Sequence, residues 1–133
     1  MIVIDTNFII HFHFPSDFSP ITEKVFLKDP NWIAPTLWRS EFRNVILGFI
    51  RKNIIDFPKA IEIIEKSEAM MHGADYPTSS LIVMELARSS NCSAYDCEFV
   101  ALAKSKNLKL LTWDKAVLKA FPDIAINPEK FIR

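Results

Sequence analysis

The chain reads as an α/β protein, a short parallel sheet flanked by helices. Two observations lead there. Short, largely apolar runs, Ile2–Ile4, Trp32–Ala34, Lys109–Thr112 and Ile124–Ile126, alternate with longer stretches of helical periodicity. The runs lack the polar/apolar alternation of a half-solvated strand, which indicates strands covered on both faces. In such a sheet the ligand crevice lies beyond the carboxyl ends of the strands.

The elements follow in order. After the strand Ile2–Ile4, Asp5-Thr6-Asn7 supplies helix-start chemistry ahead of Phe8-Ile9-Ile10, and Pro15 breaks that helix. A second helix lies within Ser16–Asp29, with Ile21, Val25 and Phe26 at helical spacing. Trp32-Ile33-Ala34 is a short strand closed by Pro35, and Thr36 is placed to cap a third helix reaching about Asn53. A fourth helix is expected from about Pro58 to Met71, a turn over Gly73–Pro77, and a fifth helix from Thr78 or Ser79 to about Arg88. Ser93 caps a sixth helix running to about Lys106. The strand Lys109–Thr112, a short helix Lys115–Ala120 and a last strand Ile124–Ile126 complete the pattern. No linker, repeat or low-complexity tract interrupts it, so residues 1–133 read as one domain.

Composition narrows the class. Hydrophobic residues make up 50% of the chain, with 11 Phe and 3 Trp, which is enough apolar material for a packed core. No apolar run approaches the ~20 residues of a membrane span. No basic segment leads into an apolar one at the start, so a cytoplasmic location is expected. Cys92 and Cys97, five positions apart in an expected helix, point about 140° from each other, which argues for free thiols and against a mutual disulfide. His11 and His13 form an H-x-H, but with no Cys or third His nearby they read as side chains at the end of the first helix.

The acids are the informative feature. Asp5 ends one apolar run and Asp114 follows another. On the third helix, at ~100° per residue, Glu41 has Val45 near ~40° and Phe49 near ~80°, so it borders the apolar stripe. On the sixth, Asp96 has Val100 near ~40° and Ala103 near about −20°, which puts it in the middle of the core-facing surface. A carboxylate removed from water costs several kcal/mol or stays protonated unless a cation or several donors meet it. Each acid has a plainer explanation. Asp5 and Asp114 could be helix caps, Glu41 could pair with Arg39 or Arg43, and Asp96 could accept from Ser93, Thr112 or a backbone N–H. Four acids placed this way favour a shared divalent cation and chemistry on a phosphate-bearing substrate. Glu98, two residues beyond Asp96, points elsewhere on the helix and is left out of this set.

Net charge is zero, with 16 basic and 16 acidic residues. Setting the four acids aside for a metal leaves the bases in excess, with Arg39, Arg43, Arg51, Lys52, Lys115 and Lys119 as candidate phosphate contacts.

Val3-Ile4-Asp5-Thr6-Asn7, Arg39-Ser40-Glu41-Phe42-Arg43-Asn44-Val45, Ser93-Ala94-Tyr95-Asp96 and Leu110-Leu111-Thr112-Trp113-Asp114 together resemble the PIN domain, in particular the small VapC-like toxins of toxin–antitoxin pairs. The resemblance covers nearly the whole chain. It implies a three-layer α/β/α fold and a Mg²⁺- or Mn²⁺-dependent endoribonuclease acting on RNA. Asp5, Glu41, Asp96 and Asp114 would then be the catalytic and metal-binding acids, with Thr112 as a supporting hydroxyl and Asn7 in a supporting role. It also implies a cognate antitoxin laying an apolar helix on the toxin, and a homodimer. Apolar material for that contact stands around Phe8, Phe12, Phe14 and Phe18 and from Ile46 to Ile54. Trp113 occupies a position that is often small in the family, which suggests either control of access, stacking on a base, or packing.

Two rivals differ in chemistry. A phosphoryl-transfer enzyme with Asp5 as covalent acceptor would need a second acid beside it, and Asp5-Thr6-Asn7 has none. A catalytically inactive PIN-like RNA- or protein-binding module is the other; the presence of all four acids argues against decay of the site.

Overall fold

The computed structural model describes residues 1–133. Its five strands form one parallel sheet in the order β3-β2-β1-β4-β5, where β1 is Ile2–Ile4, β2 Trp32–Pro35, β3 Asp75–Tyr76, β4 Leu110–Leu111 and β5 Ala125–Ile126. The helices are α1 (Thr6–His13), α2 (Ser19–Lys28), α3 (Trp38–Arg51), α4 (Phe57–Met70), α5 (Ser80–Arg88), α6 (Ala94–Lys106), α7 (Lys115–Ala120) and α8 (Pro128–Phe131). The expected α/β class with a parallel sheet and flanking helices is what forms.

The central strand explains the order. β1 is buried at every residue and pairs on one side with β2 (Val3 opposite Ile33) and on the other with β4 (Val3 opposite Leu110). The chain therefore leaves β1 toward one edge and later returns to its other side. That reversal opens a crevice between the carboxyl ends of β1 and β4.

Helix α6 is enclosed through its middle turns. Cys97 and every residue from Phe99 to Ala103 are buried, because α6 lies between the sheet and α5. Asn107 ends it in the left-handed region at φ 54°, where its N–H reaches back to the Ala103 and Lys104 carbonyls. The core is one continuous cluster of 29 buried apolar residues centred on β1, α1, α3 and α6. No helix is long and apolar enough to cross a membrane.

The boundaries differ from expectation in instructive places. Asp75–Tyr76, expected within a turn, pairs in parallel with Ala34–Pro35 as an edge strand. Two residues are too few to display any periodicity; the strand exists because β2 offers it a ladder. Pro35 belongs to β2 instead of closing it. It needs no N–H there, since β1 has already ended opposite. Thr36 is not the cap of α3, which starts behind Leu37 with no side-chain cap. The closing turn α8 was not expected either; Asn127 caps it through Glu129 N–H, ahead of Pro128. Cys92 lies ahead of α6 rather than inside it, so the helical argument about the two thiols does not apply, yet both are free and buried.

The apolar surface is also redistributed. Phe8 and Ile46 are fully buried and Phe12 and Phe14 pack against the core, so they offer little to a partner, whereas Phe18, Leu47, Ile54 and Phe57 are exposed. Trp113 packs: it stacks on Phe8 with ring centroids 5.4 Å apart, and its indole N–H donates to Glu129 at 2.9 Å.

Candidate functional site

Asp5, Thr6, Asn7, Glu41, Asp96, Thr112 and Asp114 line one cavity of about 120 Å³ at the carboxyl ends of β1 and β4. Its apolar wall is made by Val45, Phe99, Leu110 and Val117. Each acid arrives on a different element, and local chemistry explains each arrival.

Asp5 is the first residue beyond β1 and caps α1, its Oδ1 accepting the Phe8 N–H at 2.9 Å. Its other oxygen, Oδ2, accepts the Thr112 hydroxyl at 2.5 Å. Asp114 caps α7 through the Val117 N–H at 3.0 Å, while its own N–H donates to Thr112 Oγ1 at 3.0 Å. Thr112 is 1% exposed and thus ties the ends of β1 and β4 together with one hydroxyl, donating to one acid and accepting from the backbone of the other. The plain reading of Asp5 and Asp114 as caps is correct, and it coexists with their place in the cavity.

Glu41 stands in the first turn of α3 and accepts the Thr6 hydroxyl at 2.7 Å. Neither neighbouring arginine reaches it: Arg39 pairs with Asp75 at 3.0 Å and Arg43 with Glu68 at 3.5 Å. Asp96 sits in the first turn of α6, whose Ser93 cap accepts the Asp96 N–H at 3.0 Å. Asp96 is half-buried, not deep in the core as the helical wheel suggested, because the open cavity begins where α6 begins. Its carboxylate has no hydrogen-bond partner from Ser93 or Thr112; the Thr112 hydroxyl goes to Asp5 instead. Thr6 was not singled out in the sequence, although a hydroxyl directly after a strand-end acid is the signal that could have found it.

The electrostatics follow from enclosure without a cation. Burial pushes the Asp5 carboxyl up to about 6, against the Thr112 and Phe8 hydrogen bonds, with the charges of Asp114 and Glu41 adding to the rise. Asp5 keeps some exposed surface as cavity floor, but protein atoms enclose the carboxylate itself. Glu41 is raised as well, first by burial, then by the charges of Asp96 and Glu98, against its Thr6 hydrogen bond. Glu98 thus lies within electrostatic reach of Glu41 even though it faces a neighbouring cavity.

These shifts give a stability prediction for the metal-free protein. Between its unfolded value of 3.8 and its folded value of about 6, the native state holds an Asp5 proton that the unfolded chain does not. Asp5 therefore favours folding below pH 4, and this contribution fades as the pH rises through 6, by at most about 3 kcal/mol. His13 runs the other way, since burial and then Lys66 hold it down to about 4 and its contribution grows as pH rises toward 6.5. Comparing wild type with Asp5→Asn cancels His13. Urea midpoints should show Asp5→Asn gaining on wild type as the pH is raised from 4 to 7; a constant difference would mean the folded carboxyl titrates normally.

Whether these residues suit a divalent ion is a question of donors and room. The donors are all oxygens, which is the preference of a hard cation such as Mg²⁺ or Mn²⁺. No group of three acids is gathered closely enough to ligate one ion directly with the side chains as they stand. Three of the carboxylates are held elsewhere: Asp5 and Asp114 by capping and Glu41 by Thr6. The cavity leaves space for water between them, and Mg²⁺ characteristically keeps several of its waters. The set fits a hydrated ion held from a distance and does not fit a dry, all-protein cage.

Of the basic residues considered for phosphate, Arg39 and Arg43 are engaged in ion pairs, while Arg51, Lys52, Lys115 and Lys119 are exposed and form none. Thr112→Val tests the tie between the strand ends. It should cost about 1–3 kcal/mol, because the Asp114 N–H loses its acceptor and Asp5 loses a donor. It should also lift Asp5 further; unchanged stability would show that water replaces the hydroxyl freely.

A parallel α/β sheet with an acid-lined crevice at its strand-order reversal belongs to the class of folds that bind their ligands at that point. Within it the chain belongs to the PIN domain family, whose model matches residues 2–124. Its fold is similar to that of PAE2754 from Pyrobaculum aerophilum, with a TM-score of 0.77 at 18% identity over 98% of this chain and 92% of that one. It is also similar to FitAcB from Neisseria gonorrhoeae, with a TM-score of 0.72 at 17% identity over 97% of this chain and 99% of that one. FitAB bound to an IR36 DNA fragment gives a TM-score of 0.68 at 17% identity, covering 96% and 95%. None of the curated proteins compared with the chain matches it.

Proposed function

We propose that this PIN domain is a Mg²⁺- or Mn²⁺-dependent endoribonuclease that hydrolyses RNA phosphodiester bonds, and that it is the toxin of a type II toxin–antitoxin pair acting in the cytoplasm. The observation that carries the reading is the convergence of Asp5, Glu41, Asp96 and Asp114 from four elements on one cavity at the strand ends.

A divalent ion, when bound, polarises a phosphodiester and makes water more acidic. Asp5 and Asp96 would hold it, directly or through water, with Asp114 and Glu41 completing the negative field. Thr112 keeps Asp5 aimed into the cavity, and Thr6 does the same for Glu41. Asn7, exposed at the rim, offers an amide to a substrate oxygen. Arg51, Lys52, Lys115 and Lys119 supply cations free to meet the backbone of an RNA strand.

The test is incubation of the purified protein with total RNA, with Mg²⁺ or Mn²⁺ and with EDTA. Cleavage with the ion and none with the chelator is expected; cleavage that persists in EDTA rejects the reading. An antitoxin helix would find exposed apolar side chains at Leu47, Ile54 and Phe57, and a homodimer is part of the same proposal.

One observation favours a second reading, an inactive RNA- or protein-binding module: no three acids stand at ligating distance. Calorimetry separates the two, since the module would bind no Mn²⁺ and the nuclease would.

A further inference from the structure

A second cavity, of about 360 Å³, opens where β2 and β3 end, and it shares a wall with the acidic one. The wall is the start of α6: Asp96 faces the first cavity, while Tyr95 and Glu98 face the second. Met84 from α5 and Thr36 and Thr78 from the strand-end loops complete it.

The lining is chemically uneven in a way that suits a flat heterocycle. Tyr95 is 64% exposed and Met84 59%, two large side chains offering apolar surface at the mouth of a cavity that also carries Thr36, Thr78 and Glu98. The Tyr95 ring stacks on no other aromatic side chain. Glu98 is half-buried and accepts the Thr78 hydroxyl on Oε1 at 3.1 Å, which leaves Oε2 without a protein donor. No lysine or arginine pairs with it. A carboxylate so placed repels a phosphate and attracts N–H donors, the exocyclic amines of nucleobases among them.

The geometry points to a nucleobase subsite beside the acidic cavity, in which Tyr95 stacks on a base of the RNA substrate and Glu98 accepts from its amino edge. The occupant is an amino-bearing base, adenine, cytosine or guanine, in preference to uracil, which sets carbonyl oxygens beside its single N–H. The base belongs to a nucleotide neighbouring the scissile phosphate, because adjacent residues of α6 serve the two cavities. Stacking tolerates any base and the carboxylate selects among them, so the two residues divide affinity from preference. This inference rests on the ribonuclease reading and names the substrate contact that reading lacks.

The test uses the full chain and four short RNA oligonucleotides that differ only in the base beside the cut. Wild type should disfavour uracil there about tenfold in kcat/KM, the scale of one lost base-edge contact. Tyr95→Ala should raise KM about tenfold, as expected for a lost stack, with the loss falling on KM rather than kcat, and Tyr95→Phe should restore it. Glu98→Gln should flatten the base preference. Unaltered KM and preference in both variants, with cleavage intact, would overturn the subsite. So would a Tyr95→Ala protein whose only change, by sedimentation, is dissociation of a dimer, since the face would then belong to a second copy of the chain. Quenching of a 2-aminopurine oligonucleotide in EDTA reads the stack without cleavage. If wild type cuts no RNA but quenches the probe and Tyr95→Ala does not, the nuclease reading falls and the base subsite stands.

Discussion

Asp96→Asn should lower metal-dependent RNA cleavage by a hundredfold or more while the protein stays folded. The estimate is a lower bound, because even residues that merely orient metal ligands cost about 10–100-fold when changed. Asp96 is the sharper choice among the four acids. Its carboxylate caps no helix and receives no hydrogen bond, so its loss removes charge from the cavity and little else. The equivalent change at Asp5 also alters an N-cap and a fully enclosed carboxyl. Two measurements check the prediction together. Circular dichroism and the urea midpoint should match wild type within about 1 kcal/mol, as expected for a half-exposed site. Mn²⁺ calorimetry should show binding weakened in parallel with cleavage. Full activity in Asp96→Asn would remove it from the site, whatever became of the other acids.

Phe8→Ala should damage the fold severely while leaving every acid in place. Phe8 is fully buried, meets Trp32 edge-on at 5.1 Å and Trp113 in a stack at 5.4 Å, and sits one helical turn beyond Asp5. Emptying that position costs about 3–5 kcal/mol, from lost burial and the cavity left behind. A further consequence follows from its place. The Phe8 N–H is the donor to Asp5 Oδ1, so loosening the first turn of α1 loosens the carboxylate. The thermal midpoint should drop by many degrees, and residual activity at low temperature should need more metal for half-saturation. Phe8→Leu, which keeps much of the volume, should recover most of both losses. A midpoint near wild type for Phe8→Ala would mean that Trp32 and Trp113 collapse onto each other and fill the space.

Much of the fold was legible because its signals are local. Ile2–Ile4 and Leu110–Leu111 are apolar on every position, and Asp5, Ser93 and Asp114 cap the helices their sequence context suggests. Misreadings arose where a partner decides the outcome. Asp75–Tyr76 is a strand only because β2 lies beside it, and Asp75 also receives Arg39 and the Trp38 indole, which removes Arg39 from the phosphate contacts. The helical wheel placed Asp96 among core residues since α6 is buried almost all round; it could not show that the enclosure stops at its first turn. Glu98 was set aside on helical angle alone, which was right about direction and blind to the second cavity it faces. Trp113 left three readings open, and packing against Phe8 and Glu129 is the one realised.

By itself the sequence determined which acids stand at strand ends and helix starts, because capping and burial periodicity act over a few neighbouring residues. Only the tertiary structure decided what those acids meet. The Thr112 hydroxyl reaches Asp5 across 107 positions and Thr6 reaches Glu41 across 35, contacts that exist because β4 returns beside β1 and α3 packs against α1. The carboxylates share one cavity, yet how near each comes to the others is set by those hydroxyls and caps, and no run of neighbouring residues encodes a distance between separate strands.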